Sequence, residues 1–169
     1  MVINYNKTFL NLIKGYGIPE DLLFEVEIPE DILKRLNDNI SITAKGICLA
    51  SYDNLYLSKD SEYQAFIEDQ ENHFHINEFD DDKHALLIGI KTMLLFAKRF
   101  EHEQIRQVRF WLSFQNKEMG KAHAKANGLH EKGDNYYVSD RLSFYRTIEI
   151  KTIPEMFEDS FTAILIIDI

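Results

Sequence analysis

The 169-residue sequence predicts an α+β fold, a mainly antiparallel sheet packed against one long central helix (about 82–103) with short additional helices. Three observations carry this expectation. One long segment, His84 to Glu103, has apolar residues at helical spacing over a wide face. Several short segments alternate apolar and polar residues with a period of two. Their order is short helices, strands, one long helix and then more strands, which is not the regular βαβα alternation of a parallel sheet.

The three prolines share one context, in Ile18-Pro19-Glu20-Asp21, Ile28-Pro29-Glu30-Asp31 and Ile153-Pro154-Glu155. Proline at the first helical position loses no hydrogen bond, and acids just after it favour the positive end of the helix dipole. Each therefore predicts a helix start or turn, with Pro29 to Asn37 a short helix burying Ile32, Leu33 and Leu36. Phe24, Val26 and Ile28 alternate with Glu25 and Glu27 as a short strand. Ser41 to Leu57 predicts a strand pair turning at Asp53-Asn54, and Tyr63 to Glu68 and Asn72 to Phe79 predict two strands joined near Asp69-Gln70-Glu71.

Asp80-Asp81-Asp82 supplies N-cap candidates for the long helix. Its apolar face holds Ala85, Leu86, Ile88, Ile90, Met93, Leu94, Phe96, Ala97 and Phe100, and His84, Lys91, Lys98 and His102 fall on a narrow polar side. Val108, Phe110, Leu112 and Phe114 alternate with Arg109, Trp111 and Ser113 as a clear strand. Lys117 to Gly128 reads as a short helix or a mobile excursion, and Gly133-Asp134 as a turn. Tyr136 to Val138 and Leu142 to Ile150 predict a hairpin around Ser139-Asp140. Pro154 starts a short helix, and the continuous apolar run Phe161 to Ile167 predicts a strand buried on both faces in mid-sheet.

Length predicts a single domain over residues 1–169 that buries about 70% of its unfolded surface. The chain carries 28 acidic and 19 basic side chains, a formal charge of −9. Nine of the acids lie between Asp60 and Asp82, where there is no Lys or Arg: Asp60, Glu62, Glu68, Asp69, Glu71, Glu78, Asp80, Asp81 and Asp82. Without that window 19 acids face 19 bases, so the whole excess sits in one stretch. This balance argues against a nucleic-acid or anionic-membrane partner, both of which draw on Lys and Arg. The single cysteine, Cys48, excludes an internal disulfide, and the N-terminus shows no basic region followed by a long apolar stretch. Together these predict a cytoplasmic protein without a signal peptide. Ala85 to Ala97 is too short and too interrupted to span a bilayer.

Phosphate-cradling glycine motifs, G-x-S-x-G and H-E-x-x-H are absent, and one cysteine builds no Cys-rich zinc site. Cys48 reads as an inert small hydrophobe in an apolar strand setting. His73-Phe74-His75 is one motif that could carry chemistry, because strand residues two apart share a face, although His-x-His without a third ligand at a defined spacing is a weak signal. With Glu71 in the same parity, His73 and His75 form a candidate metal site, against the plain alternative of a solvated strand face. His84, His102, His123 and His130 have no partner at an informative spacing. Lys117, Lys121, His123, Lys125, His130 and Lys132 make the one basic cluster. Arg109 and Trp111 are residue types favoured at interface hot spots.

The acidic window is the leading candidate. Uncompensated carboxylates repel one another, and an extended negative field steers a basic partner. Glu68, Asp69, Glu71, Glu78, Asp80, Asp81 and Asp82, with Arg109 and Trp111, are the expected partner-binding residues. In size, charge and lack of catalytic signatures the chain resembles small acidic cytosolic bacterial proteins of the immunity type, which neutralise toxins. That resemblance covers no defined motif and transfers no residue. It implies a non-catalytic protein-binding domain with a basic protein partner such as a toxin, and no cofactor. The alternatives are a metal-binding protein or metal-dependent enzyme built on the His-x-His strand, and a homo-oligomer pairing the acidic window with the Lys117 to Lys132 segment.

Overall fold

The computed structural model describes residues 1–23, 30, 40–43, 46–49, 68–70, 72–76, 82–128, 140–146 and 161–169. The expected strands at 24–28 and 55–57, the turns at 53–54 and 133–134, the helix started by Pro154 and all of the Pro29 helix except Glu30 lie outside them.

A five-stranded sheet forms the frame. Its strands are β1 (Val2–Tyr5), β4 (His73–His75), β5 (Val108–Phe114), β6 (Asp140–Arg146) and β7 (Ala163–Asp168), in the order β1-β7-β5-β6-β4. Every pairing is antiparallel. A separate two-stranded sheet pairs β2 (Ile40–Thr43) with β3 (Gly46–Leu49). Three helices, α1 (Lys7–Gly15), α2 (Asp82–His102) and α3 (Lys117–Ala126), and a 3₁₀ turn at Glu20–Leu22 after Pro19 complete the described elements. The fold is α+β, with α2 lying on the antiparallel sheet.

Alternation decides which residues of the sheet meet the helices. Val108, Phe110, Leu112 and Phe114 of β5, Leu142 and Phe144 of β6, and Ala163, Leu165 and Ile167 of β7 enter one core with α1 and α2. Phe96 and Phe100 descend from α2 onto Phe110 and Phe144, with ring centres 5.3–5.8 Å apart across the helix–sheet boundary. Tilted and edge-on rings at such distances add about 0.5–1.5 kcal/mol per pair beyond burial. Gly89 lets α2 settle closely, since a Cβ there would stand 2.8 Å from Ile76 Cδ1 and 3.2 Å from Leu112 Cδ1. β7 is buried along its whole length between β1 and β5, as its unbroken apolar run predicts.

The helix ends follow local chemistry. Asn6 caps α1, its side-chain oxygen accepting from Phe9 N at 2.9 Å and from Ile164 N at 3.1 Å. Its amide donates to Thr162 O at 2.8 Å, so one buried side chain ties the start of α1 to the start of β7. At the other end of α1, Ile18 N bonds Ile13 O and Gly17 N bonds Lys14 O while Gly17 takes φ +63°. That is a Schellman closure, which places the left-handed residue on glycine. α2 closes the same way through Ile105 N to Phe100 O and Gln104 N to Glu101 O, with Gln104 at φ 60°. Asn116 caps α3 by accepting from Met119 N, so the segment from Lys117 is a helix to Ala126 and not an excursion.

Four expectations need correction. The stretch from Ser41 is not one long first strand: Ile40–Thr43 and Gly46–Leu49 already pair with each other, Thr43 facing Gly46, while the expected turn at Asp53-Asn54 lies outside the described residues. Glu68 is helical with Asp69 and Gln70, and does not end a strand. Asp140 is the first residue of β6, opposite Phe114, and not a turn residue, while the other half of that expected hairpin, Tyr136 to Val138, lies outside the described residues. Lys91 is 3% exposed, so α2 is buried around most of its circumference and its polar side is narrower than the heptad spacing suggests. Among the described residues no helix is long and apolar enough to cross a membrane.

Candidate functional site

The sheet face turned away from α2 is polar where the other is apolar. Strand alternation places Arg109, Trp111 and Ser113 of β5, Arg141, Ser143 and Tyr145 of β6, and Ile164, Ile166 and Asp168 of β7 on it. Trp111, Ile164 and Ile166 form a small second apolar cluster in its middle. Arg109 faces Asp168 on one neighbouring strand and Tyr145 on the other. Its Nε donates to Asp168 Oδ1 at 2.7 Å and its Nη2 to Oδ2 at 2.9 Å, a two-pronged pair with side-chain exposures of 4% and 2%. Burial works against the Arg109 charge, but the bond and the charge of Asp168 outweigh it and hold the guanidinium above its ordinary range. Burial likewise pushes the Tyr145 phenol up, against the opposing pull of Arg109.

At the β4 edge the polar face becomes a cluster of charged groups. Asp69, in the helical turn before β4, accepts from Arg141 Nη2 at 2.7 Å and from Ser143 Oγ at 2.5 Å. Glu68 is fully buried and accepts from Arg146 N at 2.7 Å. Asn72 bonds Phe144 through backbone and side chain and fixes the approach to β4. Pairing of His73 with Ser143 and of His75 with Arg141 puts both imidazoles on this same face. His73 Nδ1 bonds Gln70 O, and His75 Nδ1 lies 2.8 Å from Asp140 Oδ1. Asp140 is 3% exposed behind an imidazole that is 46% exposed. The two rings are edge-on with centres 5.5 Å apart.

The expected partner-binding residues thus have different fates. Glu68 and Asp69 spend their carboxylates on Arg146, Arg141 and Ser143 inside the fold. Asp82 is exposed in the first turn of α2. Glu71, Glu78, Asp80 and Asp81 lie outside the described residues. Arg109 and Trp111 share a face as alternation predicts, yet both are interior, the one held by Asp168 and the other by Ile164 and Ile166. His73 and His75 share a face, and with Glu71 undescribed no group of three potential ligands gathers among the described residues. In the basic cluster, His123 stacks on Phe161 with ring centres 5.5 Å apart and its Nδ1 accepts from Gln115 Nε2 at 3.1 Å.

Asp140, Arg141, Ser143, Tyr145 and Asp168 were not singled out from the sequence. A signal existed for most of them. Arg141, Ser143 and Tyr145 stand at alternate positions, the pattern of a polar strand face, and Asp168 is a lone carboxylate at the end of an apolar run, which demands a buried partner. Asp140 was hidden by its likeness to a turn residue. In comparisons with protein-family models, curated proteins and solved structures, the chain finds no match.

Proposed function

We propose that the chain is a non-catalytic protein-binding domain that holds a basic protein partner through the carboxylates of residues 60–82. The observation that carries this reading is the confinement of the entire charge excess to that window. A dense negative segment beside an otherwise balanced surface raises encounter rates with a basic partner by roughly 10–1000-fold. Because Glu68 and Asp69 are used inside the fold, docking falls to the other seven carboxylates, with exposed Asp82 among them. In the immunity-type form of this reading, the partner is a basic toxin whose positively charged site the segment masks.

The test neutralises Glu71, Glu78, Asp80, Asp81 and Asp82 together as amides and leaves Glu68 and Asp69 intact. Partner binding is expected to weaken at least tenfold and to lose most of its dependence on salt. Equal binding by the variant, or parental binding indifferent to salt, overturns the reading.

A further inference from the structure

We propose that His73 and His75 form a two-imidazole chelate for a divalent transition-metal ion of the Zn²⁺, Ni²⁺ or Cu²⁺ type, each ring ligating through Nε2. The inference is independent of the docking function. It begins with the hydrogen atoms. The partner of His73 Nδ1 is the Gln70 carbonyl, and that of His75 Nδ1 is the Asp140 carboxylate. Both partners only accept, so each Nδ1 must donate. The neutral form of each ring is therefore the Nδ1–H tautomer, with its lone pair on Nε2. Metal-ligating histidines are held in this way, the non-ligating nitrogen donating to a backbone carbonyl or a carboxylate. Here two histidines two residues apart are held so at once.

The spacing agrees with a shared ion. With Nε2 about 2.0–2.1 Å from zinc, a ring centre lies roughly 3.2 Å from the metal, and two rings at a tetrahedral angle have centres about 5.2 Å apart. The observed separation is 5.5 Å. Strand geometry sets this distance, since alternate side chains of β4 rise from one face and the ladder to β6 fixes the backbone beneath them. The Asp140 carboxylate stands 2.8 Å behind His75 Nδ1, and an anion hydrogen-bonded there raises the basicity of the ring toward a cation on Nε2. His75 is open to solvent and His73 half-buried, so an ion reaches the rings and completes its coordination with water or a carboxylate. Imidazole ligands favour Cu²⁺, Ni²⁺ and Zn²⁺ over Mg²⁺ or Ca²⁺.

The experiment titrates the full chain with Zn²⁺ by calorimetry and with Cu²⁺ by electron paramagnetic resonance. One ion per chain is expected, with a copper spectrum showing coupling to two imidazole nitrogens. His73→Gln and His75→Gln should each weaken Zn²⁺ binding at least tenfold, and the double variant should lose it. Asp140→Asn, a change at a positioning residue, should weaken it by about 10–100-fold. The spectrum of the parent chain needs no variant to fold. Absence of metal uptake by the parent, fewer than two coupled nitrogens, or undiminished uptake by the folded double variant overturns the proposal.

Discussion

Asp168→Ala tests how the polar sheet face is held together. The Arg109–Asp168 pair has two bonds of 2.7 and 2.9 Å and side-chain exposures of 4% and 2%. An exposed ion pair is worth about 0–1 kcal/mol, whereas removing one partner of a buried pair costs about 3–5 kcal/mol because a desolvated charge is left behind. The burial places this pair in the second class. Arg109 would keep its link to Tyr145 but lose the two-pronged carboxylate of Asp168. The expected loss is therefore about 3–5 kcal/mol, equivalent to a fall of about 6–20 °C in Tm for a chain of this size. Stability is read from urea unfolding of the parent, Asp168→Ala, Arg109→Met and the double variant Arg109→Met/Asp168→Leu. The double variant should be more stable than either single one, because no lone charge remains and the faces of β5 and β7 become apolar beside Trp111, Ile164 and Ile166. A loss below about 1 kcal/mol for Asp168→Ala, or a double variant as unstable as the sum of the singles, refutes the reasoning.

Other outcomes follow from the same geometry. Gly89→Ala should forgo the gain of about 1 kcal/mol that alanine normally brings to a helix interior, because its methyl meets Ile76 Cδ1 at 2.8 Å; adding Ile76→Val, which removes that Cδ1, should relieve the clash, and full stabilisation by Gly89→Ala alone would contradict the close approach. Asn6→Ala removes the cap of α1 and the side-chain partners of Ile164 N and Thr162 O, a loss of about 2–4 kcal/mol in chemical denaturation, with faster hydrogen exchange at Phe9 and Ile164. The Tyr145 phenol is raised by burial, and that of Tyr5 by its bond to Glu20. In each case the unfolded chain gives up the proton first, so stability is unaffected below about pH 10 and falls as pH rises above it. Tyr145→Phe and Tyr5→Phe should flatten that alkaline decline in urea midpoints, and an unchanged slope in the double variant would contradict the assignment.

Much of the frame was legible because periodicity reports directly on faces. The long helix, the β5 alternation and the interior run of β7 each carry a pattern with one structural solution, and all three stand where that pattern puts them. Local turn chemistry was less informative. Ser139-Asp140 has turn-forming residue types, yet the ladder takes Asp140 into β6 opposite Phe114. Strand pairing contributes many hydrogen bonds at once and overrides the preference of a dipeptide.

The candidate site divides along the same line. Composition alone located the acidic window, and strand parity alone put His73 and His75 side by side. Whether a carboxylate faces outward or inward is not written in its neighbours. Glu68 and Asp69 turn inward because β6 brings Arg141, Ser143 and the Arg146 amide to them across more than 70 residues of chain. Asp140 comes to His75 across 65 residues, and Asp168 to Arg109 across 59. The sequence by itself determined the class of fold, the long helix and where the charge lies. The tertiary structure decided which charges are neutralised inside and which face solvent, because that depends on partners that only the sheet order β1-β7-β5-β6-β4 brings within hydrogen-bond reach.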